Sequence, residues 1–119
     1  MTVSEMVNRA LTMLGLGDME GNTTAARYQV SAVSAVNTVY ADLFYKYNTE
    51  GYRGLSGNDE INLPERVVND VMPFGVAAHI AAAIGDTDNQ QFFAALYNQK
   101  RKTATPNMTV ADTVPAVEE

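Results

Sequence analysis

The sequence predicts an all-α fold, a small bundle of four to five helices with an extended C-terminal arm. Three observations predict it. Apolar residues recur at three- and four-residue spacing through most of the first 102 positions. Gly15 and Gly85 stand where two of these patterns stop, as helix C-termini favour. Prolines 64 and 73 punctuate the pattern, and Pro106 and Pro115 rule out a long helix after it. The expected organisation is a helical domain over 1–102 and an extended or disordered arm over 103–119.

A chain of 119 residues suits one domain with a real but not generous core. Its 46% apolar and 18% charged residues are globular in balance. The longest apolar run, Val76 to Ile84, contains His79 and is short of a membrane span. No basic segment followed by an apolar one opens the chain, so no secretory signal is expected. Without cysteine there are no disulfides and no thiolate metal ligands. The net charge is −6, and the only basic cluster is Lys100-Arg101-Lys102. Gripping nucleic acid through phosphates needs more clustered cations than that.

The first helix is expected over 2–14. Thr2 and Glu5 fit a capping box, and Val3, Met6, Val7, Ala10, Leu11 and Leu14 share one face. Gly15 ends it, and Leu16 to Asn22 form a turn. Asn22 or Thr23 caps a long second helix running to about Tyr47. Ala26, Val30, Val33, Tyr40, Phe44 and Tyr47 form its stripe, broadened by Val36 and Leu43 and interrupted by Asn37. Its aromatic C-terminal third, Tyr40, Phe44, Tyr45 and Tyr47, reads mainly as core, with one or two of the tyrosines at a subunit seam.

Asn48 to Glu60 is a long loop with Gly51, Gly54 and Gly57 three apart, read as a flexible connection. Tyr52 and Arg53 at its centre are the side chains best placed for a contact. Leu63-Pro64 starts the next helix, with proline at its first position. Pro73 must then kink that helix or make it end and restart. Ala77, Ala78, Ala81, Ala82 and Ala83 make the following stretch thin enough for close helix approach. After Gly85, Thr87 and Gln90 fit a second capping box. Phe92, Phe93, Leu96 and Tyr97 form the last apolar face, and the basic triplet sits at a favourable helix C-terminus.

Nothing in this pattern is built for chemistry. His79 is the lone histidine on an alanine-rich helix, with no carboxylate one turn away on a shared face, so it reads as structural rather than as a base or ligand. Asp86-x-Asp88 opens like a calcium loop, but Gln91 replaces the glycine and Tyr97 the closing glutamate, and helix capping explains both acids. No phosphate-binding loop, dinucleotide fingerprint or nucleophile elbow occurs. No catalytic residue, metal ligand or cofactor is expected. Candidate partner or subunit contacts are Tyr52, Arg53, Lys100, Arg101 and Lys102, with Met108, Val110, Val114 and Val117 in the arm. The basic triplet also reads as a solvated helix end, and the arm as disorder.

At Leu63-Pro64, Pro73-x-Gly75-x-Ala77, Gly85-Asp86-x-Asp88-Asn89, Phe92, Tyr97-Asn98 and Lys100-Arg101, the chain resembles head–tail connector proteins of tailed bacteriophages, also called head completion or adaptor proteins. The opening Ala10-Leu11-x-x-Leu14-Gly15 and the long second helix fit the same order. The resemblance covers about residues 3 to 102, and the segment after Thr103 matches none of its motifs. It implies a non-enzymatic helical subunit of a dodecameric ring in the virion neck, assembled in the host cytoplasm. Such a ring docks on the portal protein, carries the next neck or tail protein, and lets genomic DNA pass without specific binding or any membrane contact. The acidic balance suits a channel in which DNA slides. The competing reading is a small helical protein that regulates one partner through an apolar groove.

Overall fold

A computed structural model describes residues 1–16, 29–48 and 50–104. It is all-α as predicted, with five helical segments among these residues. They are α1 (Val3–Met13), α2 (Gln29–Tyr47), α3 (Glu65–Asp70), α4 (Met72–Ala83) and α5 (Thr87–Thr103). The expected start of α2 at Asn22 or Thr23, and Ala26 on its stripe, lie outside the described residues. Of the arm expected over 103–119, Thr103 ends α5 and Ala104 caps it, and residues 105–119 lie outside the described residues.

α4 is the axis of the bundle and packs against every other described helix. Val76, Ala77, Ile80 and Ala81 on α4 are fully enclosed. Around them lie Val3, Met6, Val7, Ala10 and Leu11 of α1, Val36, Val39, Leu43 and Phe44 of α2, and Val67 and Val68 of α3. α5 contributes only Phe93 as a buried side chain within its length. Taken together, Glu65–Ile84 has the length and apolar content of a membrane span, but most of it is buried. Its break at Val71 and its contacts on all sides are those of a core helix.

α1 forms as its sequence dictates. The Thr2 hydroxyl accepts from the Glu5 N–H at 3.2 Å, and the Glu5 carboxylate accepts from the Thr2 N–H at 2.8 Å. At the far end Gly15 has φ of 75°. Its N–H reaches Thr12 O at 3.0 Å and the Leu16 N–H reaches Leu11 O at 2.9 Å, the paired bonds of a Schellman cap. Gly85 ends α4 in the same way, with φ of 79°. Here the Gly85 and Asp86 N–H groups bond Ala82 O and Ala81 O.

Asp86 also starts α5, its carboxylate accepting from the Asn89 N–H at 3.2 Å and from Asn89 Nδ2 at 2.7 Å. The cap of α5 is therefore Asp86, not the Thr87–Gln90 box that the sequence suggested. One residue closes one helix and opens the next, which leaves no room for an intervening cap. A smaller shift occurs at Pro64, which is the cap before α3 rather than its first residue.

The expected break near Pro73 is present. α3 ends at Asp70 and α4 restarts at Met72, with Pro73 in its first turn. Proline has no N–H to offer the carbonyl four residues back, which here is Asn69. That carbonyl accepts from Arg9 Nη2 at 3.0 Å. An α1 side chain thus replaces the missing hydrogen bond and fastens α1 to the break.

The long loop is bound down rather than a free connection. The Asn37 side chain, which looks like an interruption of the α2 stripe, pairs with Leu55 on both sides. Its Oδ1 accepts from the Leu55 N–H at 2.7 Å and its Nδ2 donates to Leu55 O at 2.9 Å. Further on, the Val3 and Ser4 N–H groups donate to Asp59 O and Gly57 O, each at 3.1 Å. The loop thereby satisfies donors that a helix N-terminus leaves open. An isolated antiparallel bridge joins Thr2 to Glu60.

Candidate interaction surfaces

Three places on the described surface stand out, and each is assembled from more than one element. The first is where α2 and α5 end side by side. Asp42 Oδ2 accepts from Arg101 Nε and from the Tyr97 hydroxyl, both at 2.7 Å, and Oδ1 accepts from Arg101 Nη2 at 3.2 Å. The last carbonyls of α5 are met by α2 as well. Lys46 Nζ donates to Arg101 O at 3.0 Å and the Tyr47 hydroxyl to Ala104 O at 2.7 Å, so donors sit where a helix C-terminus needs them.

Burial pushes the Asp42 carboxyl up, but the Tyr97 and Arg101 hydrogen bonds and nearby positive charge outweigh it and hold it below the usual carboxylate range. The Tyr97 hydroxyl is pushed far up, first by burial and then by Asp42. The Asp42 hydrogen bond raises Arg101 in turn. These are the shifts of a structural ion pair, with no group left poised near neutrality.

The basic triplet therefore divides. Arg101 is held by Asp42, and Lys100 lies 3.4 Å from Asp70 and 5.0 Å over the Phe74 ring. Lys102 is exposed. The solvated helix end expected from sequence applies to one of the three. Met108, Val110, Val114 and Val117 lie outside the described residues.

The second place is aromatic. Tyr40 and Phe44 are buried as expected, but Tyr45 is 62% exposed and Tyr52 37%. Tyr52 folds back from the loop onto α2, with ring centroids 5.8 Å from Tyr40, 5.5 Å from Phe44 and 6.2 Å from Tyr45. Arg53 beside it is exposed. Bonds from the Ser56 N–H and hydroxyl, with the Arg53 charge added, hold the Asp59 carboxyl low. Phe92 also departs from expectation. It is 58% exposed, with its ring edge-on to Phe93 at 5.1 Å. Adjacent residues on a helix point about 100° apart, and here Phe93 faces the core while Phe92 faces outward.

The third place is a pair of grooves either side of α4. One, of about 410 Å³, lies against α2 and is lined by Ser31, Ser34, Ala35, Thr38, His79 and Ala83. The other, of about 230 Å³, lies against α5 and includes Gly75, Ala78, His79, Ala82, Ala94 and Tyr97. They share His79, which is exposed between them. No Asp, Glu, Lys or Arg lines either groove.

A larger hollow of about 540 Å³ beside α1 and α3 carries Glu5, Glu60 and Glu65 over Ile61, Leu63 and Val68. Glu5 is engaged in its capping box and Glu60 is 3.2 Å from the Met1 ammonium. Among the described residues no three His, Asp or Glu side chains are placed to hold a metal ion.

Sequence reasoning missed Asp42 and Tyr97 as partners because they stand 55 positions apart. It left open which tyrosines at the end of α2 are uncovered, because three-four spacing says which residues share a face, not where that face stops being covered. Compared with protein-family models, with curated proteins and with solved structures, the chain gives no match.

Proposed function

We propose that this chain is a structural subunit of a ring that joins the portal of a tailed bacteriophage to the next neck or tail protein, extending the channel for DNA. The resemblance supplies the reading, and one structural observation supports it most. A surface spanning α2, α4 and α5 carries no Asp, Glu, Lys or Arg, in a protein whose net charge is −6. Depletion of charged residues marks the core of a subunit contact. A ring needs a head-to-tail contact whose rotation closes, and a thin strip such as His79, Ala82 and Ala83 lets a neighbouring helix come near.

On this reading the protein does no covalent chemistry. Its acidic surface leaves passing DNA ungripped, since phosphate binding requires clustered cations.

The test is the molar mass of the protein by light scattering at high concentration, alone and with portal. A ring or a portal complex with many copies supports the reading, and monomer under both conditions overturns it. Ala82→Glu sharpens it. Ala82 is exposed, so the variant folds as the parent does, but a charge in the strip abolishes the assembly. The rival, a one-to-one regulator, calls for an apolar groove; the groove against α2 presents Ser31, Ser34 and Thr38, and the more apolar one against α5 holds only about 230 Å³. A one-to-one complex with a cellular protein, and none with portal, would favour that rival.

A further inference from the structure

We propose that the outward face of α5 pairs with the same face of a second copy, the two helices running antiparallel and crossing at Ala95. The inference stands apart from ring formation, because it uses the side of α5 turned away from the strip around His79. Asp88, Phe92, Ala95, Gln99 and Lys102 are all exposed. They recur at intervals of four, three, four and three residues, the spacing that keeps one seam of a helix facing a partner helix. Ala95 stands about 200° round the helix from Phe93, the buried side chain of α5, so the seam faces away from the bundle.

A single exposed phenylalanine needs no explanation; the order of charges around Phe92 selects the occupant. Asp88 and Lys102 each stand seven residues from Ala95, about 10 Å along the axis. When two copies cross antiparallel at Ala95, Asp88 of each comes level with Lys102 of the other, at both ends of the seam. Among the described residues neither the Asp88 carboxylate nor the Lys102 ammonium has an ion pair within its own chain. Ala95 lets the two backbones approach, and the Phe92 rings, 58% exposed in one copy, close over the centre from either side, against the stems of Gln99. A parallel pair would instead set Asp88 against Asp88 and Lys102 against Lys102, which like charges oppose. Antiparallel helix dipoles favour the same arrangement. A face with opposite charges at equal distances from a small apolar centre is complementary to itself after a two-fold rotation, as an isologous contact requires. The seam is short, so the pair forms at high concentration.

The experiment is sedimentation equilibrium of the full chain, without portal, over a range of concentrations. The expected result is a monomer–dimer equilibrium, unchanged in Ala82→Glu, which breaks only the ring contact. Lys102→Glu sets like charges level at both ends of the seam and weakens the dimer about tenfold. Adding Asp88→Lys to that chain exchanges the two charges and restores the dimer to within about threefold. Because the chain has no cysteine, Ala95→Cys locates the crossing. With diamide as oxidant it is expected to give a disulfide-linked dimer, whereas Asn8→Cys, also exposed but on α1, stays monomeric. A monomer at every concentration, a dimer indifferent to Lys102→Glu, an exchange that fails to restore it, or equal cross-linking at Asn8→Cys overturns the proposal. So does loss of the dimer in Ala82→Glu, because the strip is then the contact. Rings that form with portal while the free chain stays monomeric leave the proposed function standing and remove this pairing.

Discussion

α4 and α5 are neighbours joined by only three residues, Ile84 to Asp86, yet they are held by different physics. Between Met72 and Ala81, α4 is buried except at Phe74 and His79. Every side chain of α4 is apolar except His79, which is exposed, so its position is set mainly by packing. α5 buries one side chain, Phe93, and is fixed at its ends: by the Asp86 cap at the start and by Asp42, Lys46 and Tyr47 at the finish. Central packing tolerates little change in shape. Half-exposed polar ties are worth less each but set direction, and here they oblige α5 to finish beside the end of α2.

Breaking the α4 side of this contrast gives the largest effect. Ile80 is fully enclosed, and Ile80→Ala is expected to destabilise the protein by about 2–5 kcal/mol. That would lower the urea midpoint with an unchanged slope. A loss below about 1 kcal/mol would mean that α4 is not the packing centre.

Next is Gly75, where the two regimes meet. A Cβ there would lie 2.8 Å from Tyr97 Cδ1 and 3.1 Å from Val39 Cγ2. Gly75→Ala is expected to cost about 1–3 kcal/mol through overpacking, even though alanine favours helix. If the urea midpoint instead rises, Tyr97 moves aside freely and α5 is more loosely held than its ties imply.

The polar end is broken by Tyr97→Phe, expected to cost about 1 kcal/mol at neutral pH. Its pH dependence is more specific. The folded Tyr97 hydroxyl titrates above its unfolded value of about 10. It therefore contributes stability below that pH and loses it as pH rises further, because the unfolded chain releases its proton first. Asp42 behaves oppositely. Its lowered value contributes stability above about 3.9, lost as pH falls through the folded value. Tyr97→Phe should flatten the alkaline limb of a stability-against-pH curve. An unchanged limb would show that Tyr97 is not the group responsible.

The smallest effect is expected at Phe92→Ser, below about 1 kcal/mol, because the ring is largely exposed and only its contact with Phe93 is lost. A larger shift in thermal midpoint would mean that α5 depends on packing as α4 does.

Much of the fold was legible because it is local. The Thr2–Glu5 box, the caps at Gly15 and Gly85 and the break before Pro73 each depend on residues within a few positions of one another. The misreadings fall where a local pattern admits two answers. Thr87–Gln90 fits a capping box, but Asp86 had already taken the cap. The candidate surfaces were less legible than the fold. Tyr52 and Arg53 were singled out and are exposed, whereas Phe92 was assigned to an apolar face and lies largely in solvent, and which tyrosine of the α2 end is uncovered, Tyr45, was left open. The strip without Asp, Glu, Lys or Arg brings Ser31, Thr38 and His79 together from two helices, and no spacing within one helix announces that.

By itself the sequence determined where helices begin and stop, because capping, chirality and the missing proline N–H act within one or two turns. Tertiary structure decided what the odd residues are for. Asn37 interrupts an apolar stripe in the sequence and holds Leu55 in the fold. Arg9 looks like a surface cation and supplies the donor that Pro73 lacks. Buried backbone groups must find partners. Which side chain supplies them is settled only when distant parts of the chain are brought side by side.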